Sequence, residues 1–554
     1  MDNSHNYEIN YAIEYHEKTK HSELSLQRSR HYLDFDNKPR PFKSYSDLPS
    51  IPLPHDFPIP SGNALSCISS LSPVQQGQSL DIRVLAQLLF FSAGITRKMK
   101  FDTGTYYMRA ASATGALYPI ELYVICQDVP GLVAGVYHFC PGDFSLTELR
   151  RGEFTRKLAA VAGGNQDILS SPATIAFTSL AWRNAWKYVD RSYRHWFWDS
   201  GVIAANLLAT AISAGLRSSL AMGFVDSAVN NLLLLEEKKE AAIVLAPISS
   251  YLTQPSGLQE LRPADPSPIS PAELPKTLPL SKREEEYPEI WKLQEASSLA
   301  KTDEVTKWLA AAKINNMNQE NKISSVETRA HIDPRHPDTG TLPEPNANTL
   351  ANVILCRGST RRFSHSSISR QQLSTILFRS TRGVPLDFLS ENESLVDIYL
   401  IVNAVEGMVP GRYFYHRHAD MLQQLAAKEE KITRNESGYL CLGQSLFGDA
   451  SAVFFMMTDL ARALKVLGNR GYRACQFEAG VVAGKIYLSS YAQGLGASGS
   501  TFFDDAVTEL FSPHASDKAT MIAVGVGVPA YNARPGKVLG ARLTRSELVA
   551  ASQH

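Results

Sequence analysis

The feature that most constrains the fold is an internal repeat. The segment RSYRHWFWDSGVIAANLLATAISAGL (191–216) matches RGYRACQFEAGVVAGKIYLSSYAQGL (470–495) at one offset of 279 residues. Other blocks match in the same order along the chain: 121–139 with 397–416, 173–181 with 451–461, 223–229 with 501–507, and 241–249 with 519–530. An ordered series of matches is not expected from chance similarity, so the sequence predicts two copies of one structural unit.

Each copy predicts the same order of elements. An apolar helix is followed by a strand, a hairpin, a helix, a second strand, a long buried helix and a final strand. Gly215 and Gly494 follow the long helix in each copy and suit its C-terminal cap. Because most oligomers are two-fold symmetric, a fused pair resembles a linked homodimer. The sequence therefore predicts an α+β fold of two tandem domains, each a mixed or antiparallel sheet flanked by helices, that form an intramolecular pseudo-dimer.

The stretch between the copies has a different composition. Residues 261–280 are dense in Pro and Ser, the following residues are charged and helix-prone, and a polar, Pro-bearing segment ends near residue 350. Such composition is typical of a connector. We therefore predict a first domain with an N-terminal extension over 1–260, a linker over 261–345 and a second domain over 346–554.

Composition excludes several functional classes. Lys+Arg and Asp+Glu both number 55, so no net charge attracts the chain to nucleic acid or an anionic membrane. The longest apolar runs are shorter than the ~20 residues of a membrane-spanning helix, and the polar N-terminus lacks the apolar core of a signal peptide. The six cysteines are scattered and form no CxxC pair, so the sequence predicts neither disulfides nor a metal site. Their use predicts a cytoplasmic location. The phosphate-binding, zinc-hydrolase and serine-hydrolase motifs are also missing.

Several blocks together carry a family resemblance: YHEKTKH (15–21), GALYPIELYVI (115–125), KYVDRSYRH (187–195), GFVDSAV (223–229), RGSTRRF (357–363) and RGYRACQFEAG (470–480). The chain resembles the nitroreductase-like flavoprotein superfamily, and within it the SagB-type dehydrogenases. That branch includes the azoline oxidases of thiazole/oxazole-modified peptide pathways. The resemblance covers nearly everything outside 261–345 and implies a fold that binds FMN between two protomers.

The resemblance also implies how the two halves divide the cofactor site. In the family, one protomer presents an R-x-S-x-R segment to the flavin, and its partner presents a loop of the P-S-A-G-A-L-Y-P type. Here RGSTRRF lies only in the second half and GALYP only in the first, which implies one shared site. The predicted cofactor contacts are Arg357, Ser359, Arg361 and Arg362 on one side and Ser112, Ala113, Gly115 and Ala116 on the other. Ser112-Ala113 departs from the family's Pro-Ser.

Residue chemistry supports this assignment independently. A planar guanidinium suits a phosphate or the electron-rich N1/C2 carbonyl edge of a flavin. A second basic group follows the last strand, where the family binds phosphate: Arg534, Lys537 and Arg542. Family members place backbone donors for flavin N5 and O4 near the positions of Ser498, Gly499 and Ser500. The alternatives are solvated basic loops and a helix-entry turn without a ligand.

Lys187 and Tyr188 are the candidate catalytic residues. Azoline oxidases carry a Lys-Tyr pair in this place, with a proposed role in proton transfer. The offset of 279 puts Val466 and Leu467 at the matching positions, so only the first half keeps the pair. A lysine acts as a base only if burial or a neighbouring cation lowers its pKa from about 10.4. The alternative is a lysine whose stem packs on the surface beside an interface tyrosine.

Groups that recur in both halves are predicted to be structural. Arg194 and Arg473 are expected to pair at the helix entry or at the interface between halves. Asp199 and Glu478 also match at the repeat offset, and we expect each to form an ion pair along its helix with its own half's arginine. His195 and His365 are isolated and are predicted to be hydrogen-bonded structural residues.

These features predict an FMN-dependent oxidoreductase. The first interpretation is a dehydrogenase that acts on a ring or a C–N or C–C bond in a peptide or small metabolite, with hydride transfer to flavin N5; azoline-to-azole oxidation is the nearest precedent. One alternative is an NAD(P)H-dependent nitro or quinone reductase. The other is a degenerate, non-enzymatic scaffold that binds a partner peptide. Expected partners are the substrate and either a second copy or a peptide-modifying protein.

Overall fold

The computed structural model describes residues 5–73, 79–101, 104–250, 267, 269–270, 272–314, 329–331, 348–391, 393–425, 433–539 and 542–550. Its strands are β1 (Ser50–Pro52), β2 (Ile95–Phe101), β3 (Gly104–Arg109), β4 (Ile120–Cys126), β5 (Gly135–Cys140), β6 (Ser145–Arg151), β7 (Ala173–Leu180), β8 (Leu216–Ser218), β9 (Glu240–Ser250), β10 (Arg329–His331), β11 (Asp397–Val402), β12 (Gly411–His416), β13 (Met421–Gln424), β14 (Ala452–Thr458), β15 (Gly496–Ser500) and β16 (Ala519–Gly527).

The helices follow the same repeat. Those of the first half are α1 (Asn10–Lys18), α2 (Glu23–Arg28), α3 (Ala64–Ser69), α4 (Ile82–Ala93), α5 (Thr155–Val161), α6 (Gln166–Ser170), α7 (Ala181–Tyr188), α8 (Ser192–Ser213) and α9 (Asp226–Leu232). Then come α10 (Pro288–Ala296), α11 (Thr302–Ile314), α12 (Leu350–Cys356), α13 (Arg370–Ser380), α14 (Arg434–Leu440), α15 (Ser445–Asp449), α16 (Leu460–Leu467), α17 (Arg470–Tyr491), α18 (Asp504–Phe511) and α19 (Arg545–Ala550).

The two sheets have the same topology. The first runs β1-β6-β5-β4-β7-β9-β8 and the second β10-β13-β12-β11-β14-β16-β15, with antiparallel pairing in both. Their central strands are buried along their whole length and carry runs of apolar residues, such as AVFFMMT in β14. The predicted α+β fold with two sheet domains flanked by helices is confirmed. Among the described residues, no helix is both long and apolar enough to span a bilayer.

The long helices α8 and α17 form the centre of the interface between halves. Both are buried on all sides, as helices with small and apolar residues around their whole circumference can be. They approach most closely at two glycines. A Cβ on Gly201 would lie 2.5 Å from the backbone carbon of Gly480, and one on Gly480 would lie 2.7 Å from the Trp198 carbonyl oxygen. The predicted caps are also present, because Gly215 and Gly494 have φ of 74° and 72°.

Part of the predicted linker is folded. Helices α10 and α11 lie within 261–345, and the fully buried Trp308 of α11 donates from Nε1 to the Leu467 carbonyl at 2.9 Å. Thr19 follows α1 and accepts from Arg194 Nε at 3.2 Å, while Ser297 follows α10 and accepts from Arg473 Nε at 2.7 Å. Helix α10 is therefore the second half's counterpart of α1, which the charged composition of this stretch does not reveal. The domain boundaries themselves remain predictions.

The first half also contains an addition to the repeat. Strands β2 and β3 form a separate two-stranded hairpin between α4 and β4. The described part of the second half has no such hairpin between α13 and β11. There the chain instead turns Leu386 and Phe388 into the core, where the Phe388 ring packs 5.2 Å from Trp308. The two halves thus differ most where the candidate site lies.

Candidate functional site

The halves meet at Arg357, the first residue after α12. Its guanidinium donates from Nε to the Ala110 carbonyl at 2.8 Å and from Nη2 to the Arg109 carbonyl at 2.9 Å. The side chain is buried, and burial lowers the pKa of the guanidinium. Asn206 of α8 also donates to the Ala110 carbonyl, at 3.1 Å. An arginine from the second half therefore fixes the start of the loop that carries GALYP in the first half.

Arg357 begins a turn over residues 357–363, which we call the arginine turn. The rest of this turn packs against strand β15. The Thr360 amide donates to the Ala497 carbonyl at 2.9 Å, and Ser359 Oγ lies 3.4 Å from the Tyr487 hydroxyl. That hydroxyl also accepts from the Gly499 amide. Predicted residues Ser498, Gly499 and Ser500 therefore lie beside Ser359, with Ser498 buried and Ser500 accepting from Gln444 Nε2 at 2.9 Å.

The segment after β16 runs along the same turn. Ala530 N donates to the Arg362 carbonyl at 3.0 Å, and Gly536 N donates to the Leu355 carbonyl at 2.7 Å. Arg361, Arg362, Arg534 and Lys537 are all exposed along this pair of segments. Arg542 lies elsewhere: its Nε donates to the Asp143 carbonyl at 3.0 Å, and its Nη1 lies 2.8 Å from His55 Nε2.

The GALYP loop has an unusual backbone. Gly115, Ala116 and Tyr118 have φ of 64°, 54° and 51°, a region that side chains with a Cβ rarely adopt. A Cβ on Gly115 would lie 2.7 Å from the Tyr188 hydroxyl, so a side chain there would have to displace the Tyr188 ring. Such strain persists where the surroundings hold it, and it is common at binding sites. The predicted contacts Ser112 and Ala113 line a small cavity together with Arg109, Tyr118 and Asp199.

Asp199 holds this loop, which corrects the predicted ion pair along the helix. Its carboxylate accepts from the Thr114 amide at 2.9 Å and from Thr114 Oγ1 at 2.8 Å. Glu478 likewise binds the loop of its own half, through the Leu395 amide at 2.7 Å and Ser394 Oγ at 2.5 Å. The prediction fails because α8 and α17 direct these carboxylates at the loops before β4 and β11, while the arginines point to the other half.

The arginines at the start of α8 and α17 form two symmetric clusters across the interface. Arg194 and Arg473 therefore pair at the interface between the halves, as predicted. Arg191 and Arg194 donate to the two carboxylate oxygens of Asp504 at 2.9 and 2.7 Å. In the mirrored cluster, Arg470 and Arg473 donate to Asp226 at 2.6 and 2.7 Å. Burial alone would raise the pKa of both aspartates, but the guanidiniums hold each below its usual range. These groups stabilise the pairing of the halves.

Lys187 and Tyr188 end helix α7 beside the arginine turn. Burial lowers the pKa of the half-buried Lys187, and the charges of Lys38 and Arg361 lower it further. Burial and the nearby Asp199 raise the pKa of the Tyr188 hydroxyl. The Lys187 ammonium lies 5.3 Å from the Tyr188 ring centroid. The pair therefore combines a lysine that loses its proton more readily than usual with a tyrosine that keeps its proton.

Both isolated histidines have structural partners, as predicted. His195 Nδ1 lies 2.7 Å from Asn184 Oδ1, and its ring packs between Tyr188 and Trp198 at centroid distances of 4.6 and 4.8 Å. Burial lowers its pKa well below the usual value, which keeps the ring neutral. His365 Nε2 hydrogen-bonds to Asp449 on the outer surface. In the part of the chain that the structure describes, no cluster of His, Cys, Asp or Glu could hold a metal ion.

The chemistry of the donor set fits a flavin mononucleotide. Exposed guanidiniums along residues 361–362 and 534 suit its phosphate, and the backbone of the glycine-containing loop 112–116 can approach a flat ring closely. The symmetry-related position, where α3 of the first half meets the loop at Gly383 of the second, does not fit a second FMN. There α3 ends at Ser69, whose carbonyl oxygen would lie 2.5 Å from a Cβ on Gly383, and Arg379 Nη1 donates to Ser69 Oγ at 2.8 Å. Direct packing fills that second position.

Sequence patterns do not identify several residues of the site. Arg97, Lys38 and Tyr487 belong to no motif, and the spacing along α8 predicts the wrong partner for Asp199. Arg97 Nη2 donates to the carbonyls of Leu355 and Cys356 at 3.0 and 3.2 Å. The one usable signal is the basic and aromatic composition of residues 95–109, which have no counterpart in the second half.

Comparisons with known proteins agree with this architecture. Residues 354–528 match the model of the Nitroreductase family, so the chain contains a nitroreductase-family domain. The whole structure is similar to that of a nitroreductase-like protein from Anabaena variabilis, with a TM-score of 0.71 and 26% identity over 94% of this chain and 99% of that one. The two-domain fold is therefore shared beyond the matched domain.

The relatives include one protein named as a nitroreductase and two named for processing trifolitoxin or microcin B17. A nitroreductase-like protein of Methanocaldococcus jannaschii is 29% identical over 30% of this chain and 80% of the relative. The trifolitoxin-processing protein TfxB of Rhizobium leguminosarum bv. trifolii is 30% identical over 36% of this chain, and the match spans about half of TfxB, 54%. The microcin B17-processing protein McbC of Escherichia coli is 25% identical over 39% of this chain and 77% of McbC. Proteins named for processing trifolitoxin and microcin B17 are thus among its homologues.

The buried Asp199 predicts a specific pH dependence of stability. Burial raises its pKa from the ordinary 3.8 to about 7, although the Thr114 hydrogen bonds oppose the rise. A raised carboxyl pKa favours folding most below the unfolded pKa, and this contribution is lost as the pH rises through the folded pKa. Asn keeps an acceptor for Thr114 but cannot ionise. We therefore expect the melting temperature of Asp199→Asn, measured relative to that of the wild type, to rise by at least about 3 °C between about pH 5 and about pH 8. Thermal melts of both proteins across this range test the prediction.

The control for this measurement is Asp505→Asn, which removes a 78% exposed carboxylate near the interface. Its melting temperature should follow that of the wild type at every pH. A difference between Asp199→Asn and the wild type that stays constant over the range would show that Asp199 does not titrate there.

Proposed function

We propose that this chain is an FMN-dependent oxidoreductase with one active site at the boundary between its halves, and that it dehydrogenates a ring or a C–N or C–C bond in a peptide or small metabolite. The nitroreductase-family domain supports the redox class. Similarity to two proteins named for processing trifolitoxin and microcin B17 supports a peptide substrate. Oxidation of an azoline to an azole is the reaction that we favour.

The observation that carries the proposal is the pair of hydrogen bonds from Arg357 to the carbonyls of Arg109 and Ala110. They join the segment RGSTRRF of one half to the loop SATGALYP of the other. Each half has lost one of these two elements, so only this combination contains both. One equivalent of FMN per chain is therefore expected.

The residues around the proposed FMN site would have separate roles. Arg361, Arg362, Arg534 and Lys537 would hold the phosphate, while Ser359, Ser498–Ser500 and the loop 112–116 would line the ring. FMN, when bound, supplies a two-electron acceptor for the hydride of the substrate. The chain's own residues would then manage the proton that leaves with oxidation. Lys187, with its lowered pKa, is the residue suited to accept that proton, because a larger fraction of its amine is neutral near pH 7.

Tyr188 would have a different role. Since burial and Asp199 raise its pKa, it remains protonated and can donate a hydrogen bond but not accept a proton as a base. Its hydroxyl lies against Gly115, where it borders the predicted ring position. The pair thus provides one proton acceptor and one fixed donor at the same edge of the site.

Lys187→Met should lower turnover by about 100-fold or more if Lys187 is the base. The protein would be loaded with FMN, and bleaching of the flavin band near ~450 nm would be followed anaerobically with a thiazoline-containing peptide. Lys465→Met is the matched control, because Lys465 occupies the last turn of α16, the second half's counterpart of α7. It should leave the bleaching rate unchanged.

The same preparation separates the alternatives. Rapid oxidation of NADPH with a nitroaromatic acceptor, insensitive to Lys187→Met and without bleaching by the peptide, would favour a nitro or quinone reductase. A protein that takes up no FMN would favour a non-enzymatic scaffold. Two equivalents of FMN per chain would contradict the single shared site.

A further inference from the structure

The hairpin β2–β3 presents two different faces. Directly opposite residues in an antiparallel pair share a face, and Met99 lies opposite Tyr106 while Lys98 lies opposite Tyr107. The Tyr107 ring packs 5.4 Å from Phe42, so the face with Lys98 lies against the body of the first half. The other face carries Arg97, Met99 and Phe101 on β2. We call this the platform face.

The platform face is fixed beside the candidate site. Arg97 binds the carbonyls of Leu355 and Cys356, directly before the arginine turn. Tyr106 lies under the Lys38 ammonium at 4.3 Å and within electrostatic range of Lys187. The first residues of the platform face therefore border the candidate site, and the hairpin extends outward from it.

The outer part of the platform face is apolar and exposed. Met99 is 39% and Phe101 51% exposed, and the Phe101 ring contacts that of Tyr106 at 5.4 Å. Exposed apolar side chains that lie together on one face can contribute to a binding surface. The Tyr106 ring contacts the Phe101 ring at 5.4 Å and lies 4.3 Å from the Lys38 ammonium. One ligand can therefore contact the apolar side chains and this cation together.

The inner end of this surface is positively charged. The Lys38 ammonium lies 4.3 Å from the Tyr106 ring, and the charges of Lys38 and Arg361 both lower the pKa of Lys187. Cations placed together favour a ligand that brings a carboxylate. A peptide substrate that carries an acidic side chain next to apolar ones would match both parts of this surface.

We propose that the platform face, with Lys38, binds an extended peptide substrate whose apolar side chains contact Met99 and Phe101 and whose aspartate or glutamate binds at Lys38, next to the reacting bond. This inference rests on the proposed function and names its substrate class. It assigns substrate selection to a hairpin that has no counterpart in the described part of the second half.

The test measures peptide binding to the FMN-loaded full chain. The probe is a fluorescein-labelled peptide of about ten residues that contains two aspartates and two phenylalanines, followed by fluorescence anisotropy. The double variant Met99→Ser/Phe101→Ser and the variant Lys38→Glu should each weaken binding by about 10-fold or more. Lys100→Glu makes the same charge change on the same hairpin, but its side chain is on the other face, opposite Thr105. It should stay within about 2-fold of the wild type.

A second probe with lysines in place of the aspartates should bind about 10-fold more weakly or worse. Equal binding of both probes, or an equal loss with Lys100→Glu, would overturn the inference. Benzoate that competes in a Lys38-dependent manner, with no effect of Met99→Ser/Phe101→Ser on either ligand, would show that the surface selects a small aromatic acid and would also overturn it.

The flavin band distinguishes this failure from failure of the proposed function. These variants change exposed or half-buried side chains, so each should fold and take up FMN like the wild type. A wild-type protein with full FMN content and no preference for the acidic probe would contradict only the substrate assignment. A wild-type protein without FMN would contradict the proposed function itself.

Discussion

Arg357→Ala is expected to lower the affinity for FMN by about 100-fold or more, since loss of two charge-assisted hydrogen bonds of about 1.5–3 kcal/mol each would release the GALYP loop from the arginine turn. Arg357 acts here as a positioning residue, because its guanidinium binds the carbonyls of Arg109 and Ala110. The dissociation constant is measured by quenching of flavin fluorescence. Arg357→Lys keeps the charge but not the fork of two donors, so it should restore only part of the affinity.

The matched control is Arg379→Ala. Arg379 also bridges the halves, through Ser69 Oγ at 2.8 Å, but at the position that packing has filled. Its loss should leave FMN affinity unchanged. If Arg357→Ala lowers stability, Arg361→Ala provides an independent test. Because Arg361 is exposed, its loss should weaken FMN binding without a change in melting temperature. Full FMN affinity in both Arg357→Ala and Arg361→Ala would contradict the assigned site.

Asp504→Ala is expected to lower the free energy of unfolding by about 3–5 kcal/mol, because it leaves the buried Arg191 and Arg194 without their carboxylate. The same aspartate also accepts from the His21 amide at 2.8 Å. Asp226→Ala should have a similar effect through Arg470 and Arg473. Urea unfolding followed by circular dichroism gives the free energies, and tryptophan fluorescence shows whether the transition remains single.

Asp505→Asn is the control for this prediction also. Asp505 is the next residue, 78% exposed, and forms its ion pair with Lys20 at the surface. Exposed pairs contribute about 0–1 kcal/mol, so the variant should unfold close to the wild type. A loss of less than about 1 kcal/mol in both Asp504→Ala and Asp226→Ala would show that the arginine clusters do not hold the halves together.

The sequence predicts the repeat because both copies preserve order and spacing. The offset of 279 residues aligns α8 with α17, and the positions of Gly215 and Gly494 as helix caps follow from it. The repeat depends on local patterns compared between two copies, which a single sequence contains. The convergence of Arg357 with the GALYP loop is implied instead by the family resemblance, because each half lacks the element that the other keeps.

Contacts between distant segments are less predictable. Asp199 and Glu478 stand near arginines along the helix, yet each binds a loop of its own half, while the arginines bind Asp504 and Asp226 across the interface. Spacing along a helix shows which residues share a face but not what packs against that face. The stretch with α10 resembles a linker in sequence because it is charged and lies between Pro-bearing segments, although Ile290, Trp291 and Leu293 of α10 are buried.

The contact of α8 and α17 at Gly201 and Gly480 limits how a ligand can enter. With backbone atoms touching at the crossing, the two sheets cannot rotate or part like the leaves of a hinge without breaking the centre of the molecule. Entry and exit must then depend on small displacements of peripheral loops. With FMN bound as proposed, we expect it to exchange more slowly than the substrate, because segment 530–537 is hydrogen-bonded along residues 355–362 whereas Met99 and Phe101 of the hairpin are exposed.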